Sequence, residues 1–180
     1  ENPKIKRVNI LPDIKRENII ISVGRIGEYI KGFDLLIKAF IKANPSNWVL
    51  KIVGNIDGAQ NLIDLVIQEE FSEKIIFIEP QKNLDLFFAE SSVFVIPSRS
   101  EGFPNALIEA MASGLACISY DFDAGPRDII IDNLNGIIVE KENIQELAFV
   151  ILKVVNDEKL RSKLSSEAVK IRETLNLRLI

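Results

Sequence analysis

Short runs of apolar, β-branched residues alternate along this chain with stretches whose apolar positions recur at helical spacing. Ile19–Gly24 is a near-continuous apolar run of strand length, the pattern of a strand covered on both faces. In Phe33–Ala43 the residues Phe33, Leu36, Ile37, Phe40 and Ile41 fall on one helical face, and Pro45 ends that helix. The same patterning predicts further strands at Trp48–Gly54, Lys74–Ile78, Val93–Pro97, Leu115–Tyr120 and Ile137–Glu140. Helices are predicted at Asn61–Phe71, Leu84–Ser91, Asn105–Ser113, Asn143–Val155 and Asp157–Thr174, with a short one near Pro126–Ile131. The first 18 residues are polar, punctuated by proline, and read as a lead-in segment.

Strands and helices in strict alternation imply right-handed crossovers and a parallel sheet. The expected fold is therefore α/β: a Rossmann-like parallel sheet with helices on both faces, in one domain spanning residues 1–180. Ligands bind such sheets beyond the carboxyl ends of the strands. That rule selects the loops Gly24–Gly32, Gly54–Gln60, Glu79–Asn83 and Pro97–Asn105.

Composition narrows the chemistry. With 180 residues, 47% of them hydrophobic and 27% charged, the chain can bury a sizeable core and resembles ordinary globular domains. No apolar run reaches membrane-spanning length. A formal net charge of −4 argues against broad nucleic-acid binding but leaves room for a local cationic site. There is no histidine, which excludes Ser-His-Asp and Cys-His machinery and histidine-based metal sites. The single cysteine, Cys117, lies in an apolar strand and is expected to be a buried packing thiol. The chain opens Glu1-Asn2-Pro3 without an initiator methionine, so it is expected to be cut from a longer protein.

Two loops carry the candidate chemistry. Gly24-Arg25-Ile26-Gly27-Glu28-Tyr29-Ile30-Lys31-Gly32 leaves the first strand with two cations and three glycines. Arg25 can grip phosphate oxygens through its planar fork, and Lys31 supplies a point charge. The loop is neither a P-loop nor a dinucleotide fingerprint. On the same sheet edge, Glu101-Gly102-Phe103-Pro104-Asn105 leads into a helix that carries Glu109. Pro104 suits the first helical position, which would leave the N–H groups of Asn105, Ala106 and Leu107 pointing out toward a phosphate. Glu109 follows Asn105 by one turn, ~6 Å along the helix, within side-chain reach of a ligand at its start. Glu101 alone would repel a phosphate. With Arg25 and Lys31 offsetting a diphosphate, Glu101 is left to face a sugar. A glycosidase pair of carboxylates is disfavoured, because a helix start is a poor environment for a general acid.

These residues together resemble the donor-binding C-terminal half of GT-B glycosyltransferases, in particular the retaining glycosyltransferase family 4. The resemblance rests on Val23-Gly24-Arg25 with Lys31-Gly32, on Pro97-Ser98 with Glu101–Pro104, and on Glu109-Ala110. It extends through Ala112–Leu115, Ile118–Asp121, Gly125–Ile130, Asn135-Gly136 and Glu146–Ala148. It implies that Arg25 and Lys31 bind the diphosphate of a nucleotide-sugar and stabilise its departure, with Gly24 beside them. Glu101 would contact the sugar hydroxyls. Backbone amides of Gly102, Phe103, Pro104's neighbour Asn105, Ala106 and Leu107 would cradle sugar and phosphate, and Glu109 would hold the ribose.

The implied function is transfer of a hexose or N-acetylhexosamine to a glycan or lipid-linked acceptor in cell-surface polysaccharide synthesis. Retention would follow a front-face route in which the leaving phosphate deprotonates the acceptor. The nucleotide-sugar is a co-substrate, UDP-sugars being favoured over GDP-sugars; no cofactor and no metal are implied, nor any nucleic-acid partner. The full enzyme would work in the cytoplasm at the inner face of the membrane, with its N-terminal acceptor domain absent from this chain. Differences from the family pattern fall at Glu79-Pro80, where a glycine and an apolar residue are usual, and in the Gly54–Gly58 loop. Two alternatives stay open: an epimerase-like enzyme on the same architecture, and a non-catalytic sugar-nucleotide-binding module.

Overall fold

The apolar runs assemble into one six-stranded parallel sheet in the computed structural model of the chain, which describes residues 9, 11, 14–123 and 125–174. Most of the lead-in segment and residues 175–180 lie outside the described residues. The strands are β1 (Ile19–Val23), β2 (Val49–Val53), β3 (Ile75–Ile78), β4 (Val93–Ile96), β5 (Ala116–Tyr120) and β6 (Ile137–Val139). They stand in the order β3-β2-β1-β4-β5-β6. The Rossmann-like α/β reading of the sequence is thereby borne out.

Burial explains the apolar runs. Every residue of β4 and β5 is buried, as are Ile19–Ile21 of β1, because helices cover both faces of the central strands. Helix α1 (Phe33–Ala43) runs along α6 (Ile144–Asn156) on one face; α4 (Asn105–Ala112) packs near α7 (Glu158–Ala168) and α8 (Ile171–Thr174). Asn143 caps α6 by accepting from the Glu146 N–H at 2.9 Å, and Asp157 caps α7 by accepting from the Leu160 N–H at 2.9 Å. Cys117 is fully buried in β5 as expected, and burial pushes its thiol up in pKa, away from reactivity.

Two predicted helices end differently, each for a tertiary reason. Helix α2 (Gln60–Gln68) stops short of Phe71: Glu70 turns into the left-handed region at φ 61°, and the Phe71 N–H closes back on the Val66 carbonyl at 2.9 Å. That turn swings the Phe71 ring edge-on to Phe40, with centroids 6.4 Å apart. The segment predicted as one helix, Asp157–Thr174, is instead α7 and α8. Between them the bonds tighten to the i−3 type, and Arg172 Nε donates to the Ala112 carbonyl at 2.6 Å. The short helices α3 (Asp85–Glu90) and α5 (Pro126–Ile129) sit where expected.

Strand order positions the site. β1 pairs with β2 on one side and with β4 on the other, Ile20 facing Val93 and Ile21 facing Phe94. The chain leaves β1 toward β2 but leaves β4 toward β5, so the sheet reverses its order between them. The loops after β1 and β4 flank the crevice that this reversal opens.

Candidate functional site

The loop after β1 is moulded by close backbone contacts. Gly54, at φ 156°, sits so near the Gly24 carbonyl that a Cβ would lie 1.7 Å from its oxygen. The loop then makes a single 3-10 turn, Tyr29–Lys31, which the sequence reading did not foresee. Gly32 ends that turn at φ 69°, and a Cβ there would lie 1.9 Å from the Pro97 carbonyl oxygen. The β1 loop therefore rests directly on the end of β4, and Lys31 arrives beside Glu101.

There the two side chains pair. Lys31 Nζ donates to Glu101 Oε1 at 2.9 Å and Oε2 at 2.8 Å, and Ser98 Oγ donates to Oε1 at 2.6 Å. The lysine and glutamate side chains retain only 18% and 13% of their exposure, and Ser98 is buried. The sequence reading gave these two residues separate halves of a ligand; the structure joins them. Arg25, by contrast, stands at the rim, 69% exposed, and pairs within its own loop with Glu28 Oε1 at 2.8 Å.

The start of α4 also differs in detail. Pro104 is the residue before the helix, at φ −83° and ψ 66°, rather than its first turn residue as expected. The Asn105 N–H bonds to the Phe103 carbonyl at 2.9 Å and the Leu107 N–H to the Pro104 carbonyl at 3.1 Å. Those two amides are thus engaged within the chain, which corrects the expectation that they point outward. Gly102 and Phe103 are exposed, and nothing lies within 4 Å of where a Gly102 Cβ would sit, so this is the open lip of the site. Leu107 is buried, while Asn105, Ala106 and Glu109 are half-buried. The Asn105 Oδ1 is a buried acceptor without a hydrogen-bond partner among the described residues, a group that a ligand donor would satisfy. Gly125 packs against Pro104, a Cβ there lying 3.1 Å from Pro104 Cδ, so the loop after β5 supports the helix entrance.

Sequence reasoning passed over Arg99, although it lies inside the segment that drew attention. Its guanidinium makes a bidentate pair with Asp34 of α1, Nη1 to Oδ1 and Nη2 to Oδ2, both at 2.8 Å. Nη1 also donates to the Tyr29 carbonyl at 2.6 Å, and Nε to Glu142 Oε2 at 3.2 Å. The guanidinium carbon stacks 3.7 Å from the centroid of the Tyr29 ring. Hydrogen bonds donated to Asp34 hold Arg99 above its ordinary pKa. Burial works to raise the Asp34 carboxyl, but the bonds and charge of Arg99 outweigh it and keep that carboxyl below its ordinary value. The only hint in the sequence was a cation between an apolar strand and Glu101; its partners lie 65 and 43 residues away.

The remaining two loops complete the edge. Glu79–Asn83 is exposed beyond β3, with Gln81 Nε2 donating to the Glu79 carbonyl at 2.9 Å. After β2, Asn55 Oδ1 accepts from the Asp57 N–H at 2.7 Å, a local turn in place of the glycine-rich pattern.

A family model described as glycosyl transferases group 1 matches residues 4–171. An uncharacterized glycosyltransferase of Haemophilus influenzae is 31% identical over 157 residues, covering 86% of this chain and 44% of that protein. The amylovoran biosynthesis glycosyltransferase AmsD of Erwinia amylovora is 27% identical over 154 residues, covering 86% and 43%. The chain thus spans less than half the length of these curated relatives. Among solved structures, TarM shares the fold at a TM-score of 0.84 and 24% identity, over 96% of this chain and 37% of that one. Anabaena HepE in complex with UDP gives 0.81 at 19% identity, over 88% and 44%. The C-terminal domain of the group 1 family protein LpcC from Francisella tularensis gives 0.76 at 28% identity, over 89% and 87%.

Proposed function

Since the chain belongs to the glycosyl transferases group 1 family, whose GT-B fold it shares, we propose that it is the nucleotide-sugar-binding domain of a retaining enzyme of glycosyltransferase family 4. The single observation that carries this reading is the Lys31–Glu101–Ser98 cluster at the crevice between β1 and β4. A cation and a carboxylate side by side suit a ligand with an anionic and a hydroxylated part joined at one bond, as in a diphosphate-linked sugar. In this reading the diphosphate takes Lys31, with Arg25 turning in from the rim, and Glu101 is released to accept from sugar hydroxyls. Asn105 and Glu109 sit one helical turn apart at the nucleoside end, Glu109 accepting from the ribose.

The reaction follows from those roles. The bond between the anomeric carbon and the diphosphate oxygen breaks, and its electron pair goes to the diphosphate, whose charge Lys31 and Arg25 stabilise. The acceptor oxygen bonds to the anomeric carbon from the same face, and its proton passes to the departing phosphate. Because the chain spans less than half of its relatives, the acceptor site is assigned to the rest of the enzyme, and this domain binds donor without transferring it. A uridine donor is supported by the UDP bound in HepE, and a role in cell-surface polysaccharide synthesis by the amylovoran relative. The transferred unit is a hexose or N-acetylhexosamine. No described helix is long and apolar enough to cross a membrane; the cytoplasmic, membrane-proximal setting is part of the same proposal.

Isothermal titration of the chain with UDP, GDP and their sugars tests the reading. Binding of UDP and UDP-sugar, with weaker binding of GDP, is expected. Absence of binding by any of them at millimolar concentration would overturn it.

A further inference from the structure

We propose that Arg99 is the positioning residue of this site, fixing where Lys31 stands relative to Glu101. The inference rests on reading Lys31 as the diphosphate ligand. Its observation is the grip of one residue on both peptide units that precede Lys31. The Arg99 N–H donates to the Ile30 carbonyl at 2.8 Å, and Arg99 Nη1 donates to the Tyr29 carbonyl at 2.6 Å. Arg99 also lies two positions before Glu101, so a single short segment sets both partners of the Lys31–Glu101 pair.

The guanidinium is itself braced from outside that segment. Asp34 holds it from the first turn of α1, Glu142 holds it from the approach to α6, and the Tyr29 ring covers its face. Four hydrogen bonds from one rigid plane meet three separate segments at once, which a lysine ammonium cannot do. Arg99 is 8% exposed and the Asp34 side chain 28%, so removing the arginine leaves a part-buried carboxylate without its counter-ion. Lys31 is the reverse case: a long flexible side chain whose ammonium goes where its backbone is carried. A looser turn at Tyr29–Lys31 would leave the ammonium spread over several positions, and a diphosphate would have to order it on binding.

A double-mutant cycle on the 180-residue chain separates positioning from plain stabilisation. Arg99→Met preserves length and apolar packing while removing every hydrogen bond of the guanidinium. Lys31→Ala is expected to weaken UDP binding about tenfold or more, the loss of a charge-assisted contact. Arg99→Met should weaken it comparably, and Lys31→Ala in the Arg99→Met background should then cost less than about twofold. Losses that simply multiply would overturn the inference, as would parent-like UDP affinity in Arg99→Met. Arg99→Lys should fail to restore binding.

If Arg99→Met does not melt cooperatively, Asp34→Asn replaces it in the same cycle, since it loosens the bidentate brace and keeps the arginine. A readout without ligand separates this proposal from the donor reading: the Lys31 ammonium resonance in NMR. Its pairing to Glu101 should keep that resonance sharp in the parent and broaden it in Arg99→Met. An unchanged resonance counts against positioning, whereas a parent chain that binds no UDP counts against the donor reading alone.

Discussion

Lys31 and Glu101 stand 70 residues apart in the chain, yet the lysine ammonium donates to both carboxylate oxygens of the glutamate, at 2.9 and 2.8 Å. The pair is part-buried, with Ser98 donating to the same carboxylate. In the ligand-free domain each residue therefore occupies the other's binding capacity. A diphosphate arriving at Lys31 must compete with Glu101, and a sugar arriving at Glu101 must compete with Lys31. Only a ligand carrying both groups compensates both partners at once.

That competition sets the sign of a substitution. Glu101→Gln removes a charge that both occupies Lys31 and repels phosphate, so UDP should bind more tightly, by up to ~1.4 kcal/mol, within the range of a charged hydrogen bond. UDP-sugar should not share that gain, because its sugar hydroxyls lose the carboxylate acceptor. Calorimetric titration with both ligands checks this. A fall in UDP affinity in Glu101→Gln would mean that the carboxylate helps to order Lys31 rather than to compete for it.

Gly32 and Gly102 make a matched pair of glycine tests. An alanine Cβ at Gly32 would sit 1.9 Å from the Pro97 carbonyl oxygen on a backbone at φ 69°. Gly32→Ala should therefore cost at least ~1–3 kcal/mol in strain. At roughly 2–4 °C per kcal/mol for a chain of this size, the melting temperature should fall by several degrees. Gly102→Ala meets nothing within 4 Å and should leave the melting temperature within about a degree of the parent. Calorimetric melting of the two variants is the check. A loss at Gly102 as large as that at Gly32 would show that the lip is packed rather than open.

Acid should reveal the brace behind the site. The Asp34 carboxyl is held below its ordinary value in the folded chain, burial opposing and Arg99 prevailing. A depressed carboxylate contributes stability that is present above its unfolded pKa of about 3.9 and is lost as pH falls through the folded value. Asp34→Asn lacks that contribution at every pH. The gap between parent and variant in urea midpoint should thus be widest near neutrality and narrow below about pH 4. A gap of equal size at pH 3 and pH 7 would mean that Asp34 acts through packing and not through its charge.

Much of this architecture is legible in the residue pattern. The runs Ile19–Val23, Val93–Ile96 and Ala116–Tyr120 announce doubly covered strands, since a strand buried on both faces has no polar alternation. Lys31, Glu101 and Glu109 are legible as candidates because each lies in a loop on the carboxyl edge or one turn into the helix that follows it. The start of α4 was less so. A proline can serve either inside or just before a first turn, and here Pro104 takes the outer position while Asn105 and Leu107 turn their amides inward. Arg99 escaped because nothing in its own neighbourhood reports its partners, which α1 and the approach to α6 bring from a distance.

The alternation of strands and helices, the burial of each, and the loops that share one sheet edge are all written in the residue pattern. These are local properties, encoded in the spacing of apolar residues over one or two turns. That β1 lies beside β4, that Gly32 presses on Pro97, that Lys31 closes on Glu101 and that Arg99 pairs with Asp34 emerge from the folded packing alone. Strand neighbours are chosen by the packing of the whole sheet against its helices. Side chains separated by dozens of residues carry no spacing by which their meeting could be read.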